Sequence, residues 1–344
     1  TMLNAAEASK RVRLFFDHKL HAVDWDRRTI TCSGQADEKT HEHGFDILIG
    51  ADGGGSAIRR AMEQVTELGV TEDLLDHGYR ELTIPPGPGG SFLMDKNALH
   101  IWPRGGFMLI ALPNSDGSFT VTLFLSNKDK PGFDHLERWP EQQEFMREQF
   151  PDAIPLLADL EADFRDHPVG LLGTVRCKKW FFEDKGLLIG DAAHAIVPFH
   201  GQGMNASFED CDEFMDQLES APEDTDWQDL FRNFQARRID HANAIADMAL
   251  ENYGIMRESV RDPGFLLRKE LEHELERRHP RRFIARYSLV MFHRLPYADA
   301  YQRGLQQAEI LDRLLDGART LEDVDFELAA RLVGEQLDEI QEPG

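Results

Sequence analysis

Residues 186–211 read GLLIGDAAHAIVPFHGQGMNASFEDC, and the fold turns on them. Leu187 to Ile189 is a short apolar run of the kind that forms a buried parallel strand. It ends at Gly190-Asp191, which puts a carboxylate at the C-terminal edge of a strand. There it can accept hydrogen bonds from a sugar hydroxyl, or serve as a local turn cap. Pro198 and Phe199 lead into Gly201-Gln202-Gly203, where two positions without a Cβ let the backbone approach a ligand closely. A helical pattern follows, with Phe208, Cys211, Phe214, Met215 and Leu218 expected on its apolar stripe. The first turn of that helix, near Met204 and Asn205, aims free N–H groups at whatever the loop holds. Strand, acidic tip, glycine loop and helix N-terminus together describe a cradle for a small-molecule cofactor.

The same layout occurs earlier. Phe45 to Gly50 is a buried-strand candidate that runs straight into Asp52-Gly53, and Ser56 suits the N-cap of a helix carrying Ile58, Met62 and Val65. Upstream, 11–30 alternates enough for a pair of short strands, and the polar stretch 33–44, with His41-Glu42-His43, reads as a solvated turn or loop. Downstream, the Gly-Pro-rich residues 85–90 make a loop. Gly106–Leu112 and Phe119–Leu125 are strand candidates joined by Asn114-Ser115-Asp116-Gly117, a strong hairpin turn. The first of these is apolar on both faces, so neither face should meet solvent. Residues 132–166 predict two surface helices, 169–182 return toward the strand at 187, and the chain beyond 226 is mostly helical. There Ile245, Ala249, Asn252 and Met256 share one face, which Asn252 interrupts as a satisfied core amide or a ligand contact. Residues 280–297 give no clear pattern, and the tail from 321 is acidic and amphipathic.

The 344 residues carry 38 Lys and Arg against 62 Asp and Glu, a net charge of −24. A field of that sign repels phosphate backbones and anionic lipid, so neither a nucleic acid nor a membrane is expected as partner. No apolar run spans a bilayer and no signal peptide is visible. Three scattered cysteines, Cys32, Cys177 and Cys211, form no CxxC pair, and a reducing cytoplasmic setting is the simplest reading. His194 lacks partners at metal-ligand spacing, so a structural hydrogen bond is preferred there over a base or metal role.

Taken together, Asp52-Gly53-x-x-Ser56-x-Ile58-Arg59 resembles the second signature of the flavoprotein aromatic hydroxylases. Gly190-Asp191 through His194, Pro198, Gly201, Gly203 and Asn205 resembles the third. Within that family, His194 to Asn205, Ala98 to Arg104 and Asp262 to Leu267 are similar to the branch that hydroxylates kynurenine. The resemblance spans essentially the whole chain. It implies an α/β fold (α+β overall): a doubly wound FAD-binding domain at 1–76 and 168–225, a β-sheet substrate domain at 77–167, and a mainly helical C-terminal region at 226–344.

The cofactors implied are FAD, with NADPH as co-substrate. The reaction implied is hydroxylation of L-kynurenine by O2 through a flavin C4a-hydroperoxide, with no obligatory side-chain acid or base. Cofactor-binding positions implied are Asp52, Gly53 and Arg59 in one signature, and Gly190, Asp191, Pro198, Gly201, Gln202, Gly203, Met204 and Asn205 in the other. Met108, Ile110, Leu112 and Phe124 are simply core by periodicity, but the resemblance makes one face of their hairpin the wall of an aromatic pocket. It adds Pro198, Phe199 and His200, with Met256 packing on the ring and Asn252 and Tyr287 at the amino-acid end.

A family member opens with a strand, GxGxxG and a helix, and also grips the substrate carboxylate from that part. No such segment is visible in this sequence, and a working enzyme is expected to include it upstream. The alternatives left open are a hydroxylase of another aromatic acid and a non-catalytic ligand-binding remnant, and a homodimer is left open as the assembly.

Overall fold

The run at 186–188 is a strand, and it lies parallel to the run at 48–50: Gly186 faces Leu48, Leu187 faces Ile49 and Leu188 faces Gly50. The computed structural model describes residues 2–34, 39–258 and 262–340, so the end of the acidic tail, 341–344, and the tip at 35–38 lie outside the described residues.

In chain order, helix α1 (Met2–Ala8) precedes a meander of β1 (His18–Asp24), β2 (Thr29–Gly34) and β3 (Thr40–Gly44). Then come β4 (Leu48–Gly50), α2 (Ala57–Glu63), a long β5 (Thr71–Ile84), β6 (His100–Pro103), and the hairpin of β7 (Met108–Pro113) and β8 (Phe119–Ser126). Helices α3 (Trp139–Gln149) and α4 (Leu160–Asp166) lead to β9 (Gly170–Arg176), β10 (Phe181–Phe182) and β11 (Gly186–Leu188). A one-turn α5 (Asp191–His194), a 3-10 turn at Pro198–His200 and α6 (Gly203–Ser220) follow. The remainder is α7 (Trp227–Glu258), α8 (Pro263–Arg278), α9 (Arg286–Phe292), α10 (Tyr297–Leu315) and α11 (Phe326–Gln336).

Two compact units result. The first comprises 1–71, 175–195 and 202–240; the second comprises 72–174, 196–201 and 241–344. In the first, β1-β2-β3 form one antiparallel sheet, and β10-β11-β4 a second in which β11 and β4 are parallel. Gly186 lets the Trp25 ring lie against the second sheet, since a Cβ there would come within 2.9 Å of it.

In the second unit, five strands run in the order β6-β7-β8-β5-β9. The sequence of β8 explains the two layers on that sheet. Phe119, Val121, Leu123 and Leu125 alternate onto one face and are fully buried against Phe145, Met146 and Phe150 of the α3 segment and Leu160 and Phe164 of α4. Each such burial stabilises the fold by about 1.5–3 kcal/mol. Phe124 points the other way, into a separate apolar cluster with Met108, Phe199, Ala249 and Tyr253. A third core joins α8, α10 and α11 through Leu271, Leu275, Ile310, Leu314 and Leu332.

Several local expectations differ from the structure. Residues 11–16 are not strand; the first strand begins at His18. His41-Glu42-His43 lie on β3 rather than in a loop, and Arg27 holds Glu42 through two hydrogen bonds of 3.1 and 2.8 Å. β5 carried no strand signal, because acids crowd its first half and only its last residues alternate. The β7 hairpin is not shielded throughout: Leu112 is 47% exposed at its far end. The unassigned stretch 280–297 contains α9. Among the described residues, no helix is long and apolar enough to cross a membrane.

Candidate functional site

Because β4 and β11 are parallel neighbours, the turns that follow them open at the same edge of one sheet. That edge is where open α/β sheets bind ligands. Arg59, buried in α2, ties the two turns together: it donates to the Gly54 carbonyl at 2.6 Å and to the Ala192 carbonyl at 2.9 Å. A Cβ on Gly54 would stand 3.2 Å from that of Ala195, so the turns also touch.

The two acids at these tips are used differently. The Asp52 carboxylate accepts from Ser56 Oγ at 2.5 Å and from the amides of Ala57 and Ile58 at 2.7 and 3.2 Å, and Ser56 Oγ caps the Arg59 amide. It holds the start of α2, while Gly53 takes a φ of 79° to make the turn. Asp191 sits in the first turn of α5, is exposed, and makes no hydrogen bond through its carboxylate among the described residues. Protein packed beneath it raises its carboxyl pKa above the ordinary value through desolvation, with His194 pulling the other way. An unengaged acceptor at the tip of a parallel strand suits a ligand hydroxyl.

Helix α6 closes the same site within the first unit. Gly190 has φ 57° and ψ −144°, and a Cβ there would come within 2.8 Å of Ser207 Oγ, so α6 packs directly on the turn. Gln202, the N-cap of α6, gives it no side-chain cap; it accepts instead from Asn205 Nδ2 at 2.9 Å. Gly203, Met204 and Asn205 therefore form the first turn, and the Met204 side chain is exposed.

Of the stripe expected on α6, Phe214 is buried and Leu218 half-buried, but the rest is not. Ala206, Asp210, Phe214 and Gln217 face inward, while Phe208, Cys211 and Met215 are exposed. A carboxylate occupies the inner face, which apolar periodicity cannot anticipate. His194 makes the structural hydrogen bond expected of it, yet its partner is an acid after all: Nε2 lies 2.6 Å from Asp210 Oδ2.

In the second unit, the 3-10 turn Pro198–His200 ends at Gly201 with φ 68°. Pro198 and Gly201 are exposed, while Phe199 and His200 are buried. The Phe199 ring lies between Phe124 at 4.8 Å and Tyr253 at 4.6 Å, and Asn252 Nδ2 donates to the Phe199 carbonyl. Met108, Phe124 and Phe199 are thus gathered in one apolar cluster, with Ile110 and Met256 packed against it. Leu112, on the same face of β7, is left outside.

His200 stacks on Tyr287 with ring centroids 5.1 Å apart, and burial pushes its pKa below the ordinary imidazole value. These two side chains and Asn252 line a cavity of about 370 Å³, whose wall also carries the Glu251–Arg286 ion pair at 2.5 Å. Tyr253, Glu251 and Arg286 had no motif to mark them in the sequence. Among the described residues, no cluster of His, Cys, Asp or Glu could hold a metal ion.

Comparison with known proteins fits this geometry. A family model described as an FAD binding domain matches residues 1–249. The chain is 46% identical over 326 residues to the kynurenine 3-monooxygenase of Stenotrophomonas maltophilia (strain K279a), covering 95% of this chain and 71% of that protein. It is 46% identical over 337 residues to the kynurenine 3-monooxygenase of Xanthomonas axonopodis pv. citri (strain 306), covering 98% and 73%. Among solved structures, a tetrameric form of 2-methyl-3-hydroxypyridine-5-carboxylic acid oxygenase superposes with a TM-score of 0.59 at 20% identity, over 77% of this chain and 68% of that one. PqsL, a probable FAD-dependent monooxygenase from Pseudomonas aeruginosa, gives 0.58 at 17% identity, over 77% and 70%. At those identities the structural likeness speaks for the fold.

Proposed function

The chain belongs to the kynurenine 3-monooxygenase family of FAD-dependent aromatic hydroxylases, and from that premise we propose that it converts L-kynurenine to 3-hydroxykynurenine with NADPH and O2. The observation that carries the cofactor half of this reading is the pair of turns at one sheet edge, tied by Arg59, with the Asp191 carboxylate left unengaged. The residues present fit FAD. Asp191 is the acceptor for ribityl or ribose hydroxyls, Gly190 lets α6 pack against the turn, and Asp52 and Arg59 hold the second turn in place.

FAD, reduced by NADPH, supplies the activated oxygen when bound. The amides of Gly203 to Asn205 favour negative charge at the α6 N-terminus by about 0.3–1 kcal/mol. The chain's other residues bind and orient the substrate and exclude water. Met108, Ile110, Phe124, Phe199 and Met256 offer apolar contact to an aromatic ring, and Asn252, His200 and Tyr287 offer polar contact to its amino-acid end. The aniline nitrogen of the substrate directs the oxygen to the neighbouring ring carbon, so no side chain is assigned as acid or base. Three free cysteines and bacterial relatives support a cytoplasmic setting.

The test is a visible spectrum of the purified protein, followed by kynurenine-stimulated NADPH oxidation with product analysis. A yellow protein that yields 3-hydroxykynurenine supports the proposal. Hydroxylation of a benzoate or an anthranilate but not of kynurenine would replace the substrate, and a colourless protein that takes up no FAD would remove the reading.

Asp191→Asn is expected to weaken FAD binding about tenfold or more, because a charge-assisted hydrogen bond becomes a neutral one. In the wild type, affinity is expected to fall on the acid side as Asp191 takes up its proton, at a pH above the ordinary 3.8. The sign follows from the raised pKa: the folded protein binds this proton more readily than the unfolded chain. The same group therefore favours folding below 3.8 and ceases to as pH rises through the folded value. Fluorescence titration of FAD against pH checks this, and an unchanged pH profile in Asp191→Asn would assign the dependence elsewhere.

A further inference from the structure

We infer that Asp210 is a positioning residue for the cofactor turn: from the inner face of α6 it holds the Gly190 amide and the His194 ring, and so aims the Asp191 carboxylate. This rests on the proposed FAD site and goes beyond it to a residue that touches no ligand.

The geometry is specific. Asp210 is fully buried, and its carboxylate is divided between three donors. Oδ2 accepts from the Gly190 amide at 2.8 Å and lies 2.6 Å from His194 Nε2, while Oδ1 accepts from Arg238 Nε at 2.8 Å. Arg238 is itself fixed, donating to Glu209 Oε2 at 3.0 Å and to the Ala206 carbonyl at 3.2 Å. The His194 ring rests on Trp180 with centroids 4.9 Å apart. Asp191 thus lies between the Gly190 amide and a residue, His194, whose ring is held by the same oxygen. The whole arrangement sits within the first unit.

Burial alone would push the Asp210 pKa up, but the bonds from His194 and Arg238 outweigh it and hold the carboxyl below its ordinary value, so it remains an anion. Arg238, despite burial, is held charged by Asp210 and Glu209. Stability does not account for such a cluster, since well-packed apolar residues of the same volume commonly do as well. What they cannot do is accept the Gly190 amide, which the positive-φ turn directs at α6 and away from any strand. A fully satisfied buried polar network selects one arrangement among several. Here the arrangement selected is the register between the strand tip and the first turns of α6.

The test is a double-mutant cycle on FAD affinity, measured by flavin fluorescence with the purified full-length protein freed of flavin. The four proteins are the wild type, Asp191→Asn, Asp210→Asn and the double variant, each checked for native circular dichroism. Acting through Asp191, Asp210→Asn weakens FAD binding about tenfold in the wild type and less than about twofold on the Asp191→Asn background. An equal loss in both backgrounds would show a general structural role and overturn the inference. A wild type that binds no FAD overturns the cofactor reading and this inference with it, whereas binding with additive losses overturns the inference alone. Should Asp210→Asn fail to fold, His194→Gln, which keeps the carboxylate and moves only the donor, is carried through the same cycle and judged by the same non-additivity.

Discussion

Gly190→Ala is expected to destabilise the protein by about 2–4 kcal/mol and to weaken FAD binding at least about tenfold. Two costs combine. The residue sits at φ 57° and ψ −144°, a region that a Cβ closes, and the added carbon would meet Ser207 Oγ at 2.8 Å and Ser207 Cβ at 3.0 Å. Relief requires α6 to move outward, and α6 holds both the amides of Gly203 to Asn205 and Asp210. Urea unfolding and FAD titration of the same variant measure the two effects. A variant whose midpoint falls while its FAD affinity is unchanged would show that the first turn of α6 does not contribute to the cofactor site.

Phe199→Ala is expected to cost about 3–5 kcal/mol and to raise the KM for kynurenine more than it lowers kcat. The ring is 6% exposed and packed between Phe124 and Tyr253, so its removal leaves a hole that two aromatic neighbours cannot both fill. It also frees the backbone that Asn252 holds through the Phe199 carbonyl. Phe199→Leu restores most of the volume but not the ring contacts. If the leucine variant regained stability and KM alike, Phe199 would be a packing residue and not part of the substrate wall.

The two turns at the sheet edge were legible in the sequence because their signals are local. An apolar run, Gly-Asp, a serine three residues before Arg59 and an Asp-Gly turn each specify backbone on their own. The hairpin at 114–117 was legible for the same reason, and the register Met108 to Phe124 follows from it. What was hidden depends on partners distant in sequence. Asp210 looks like one of the many acids on a surface helix until Arg238, 28 positions later in α7, arrives to neutralise it. The trace in the sequence is slight, because 206, 210, 214 and 217 share a face that is half polar, Asp210 and Gln217 alternating with Ala206 and Phe214. β5 was missed because its pairing with β8, His77 to Ser126 through Ile84 to Phe119, is set by the hairpin and not by its own acidic residues. Leu112 belongs to the expected face of β7 but lies opposite Thr120 at the open end of the ladder, beyond the apolar cluster.

The alternation along β8 separates two kinds of inheritance in one strand. Residues 119, 121, 123 and 125 answer to the helices behind the sheet, and Phe124 to the rings in front of it. Changes at the odd positions are therefore felt by the helices behind the sheet, while a change at 124 is felt by Met108, Phe199 and Tyr253 in front of it. Both sets are buried, so each contributes to stability, but through a different layer, as libraries randomised separately at 121/123 and at 124 would reveal.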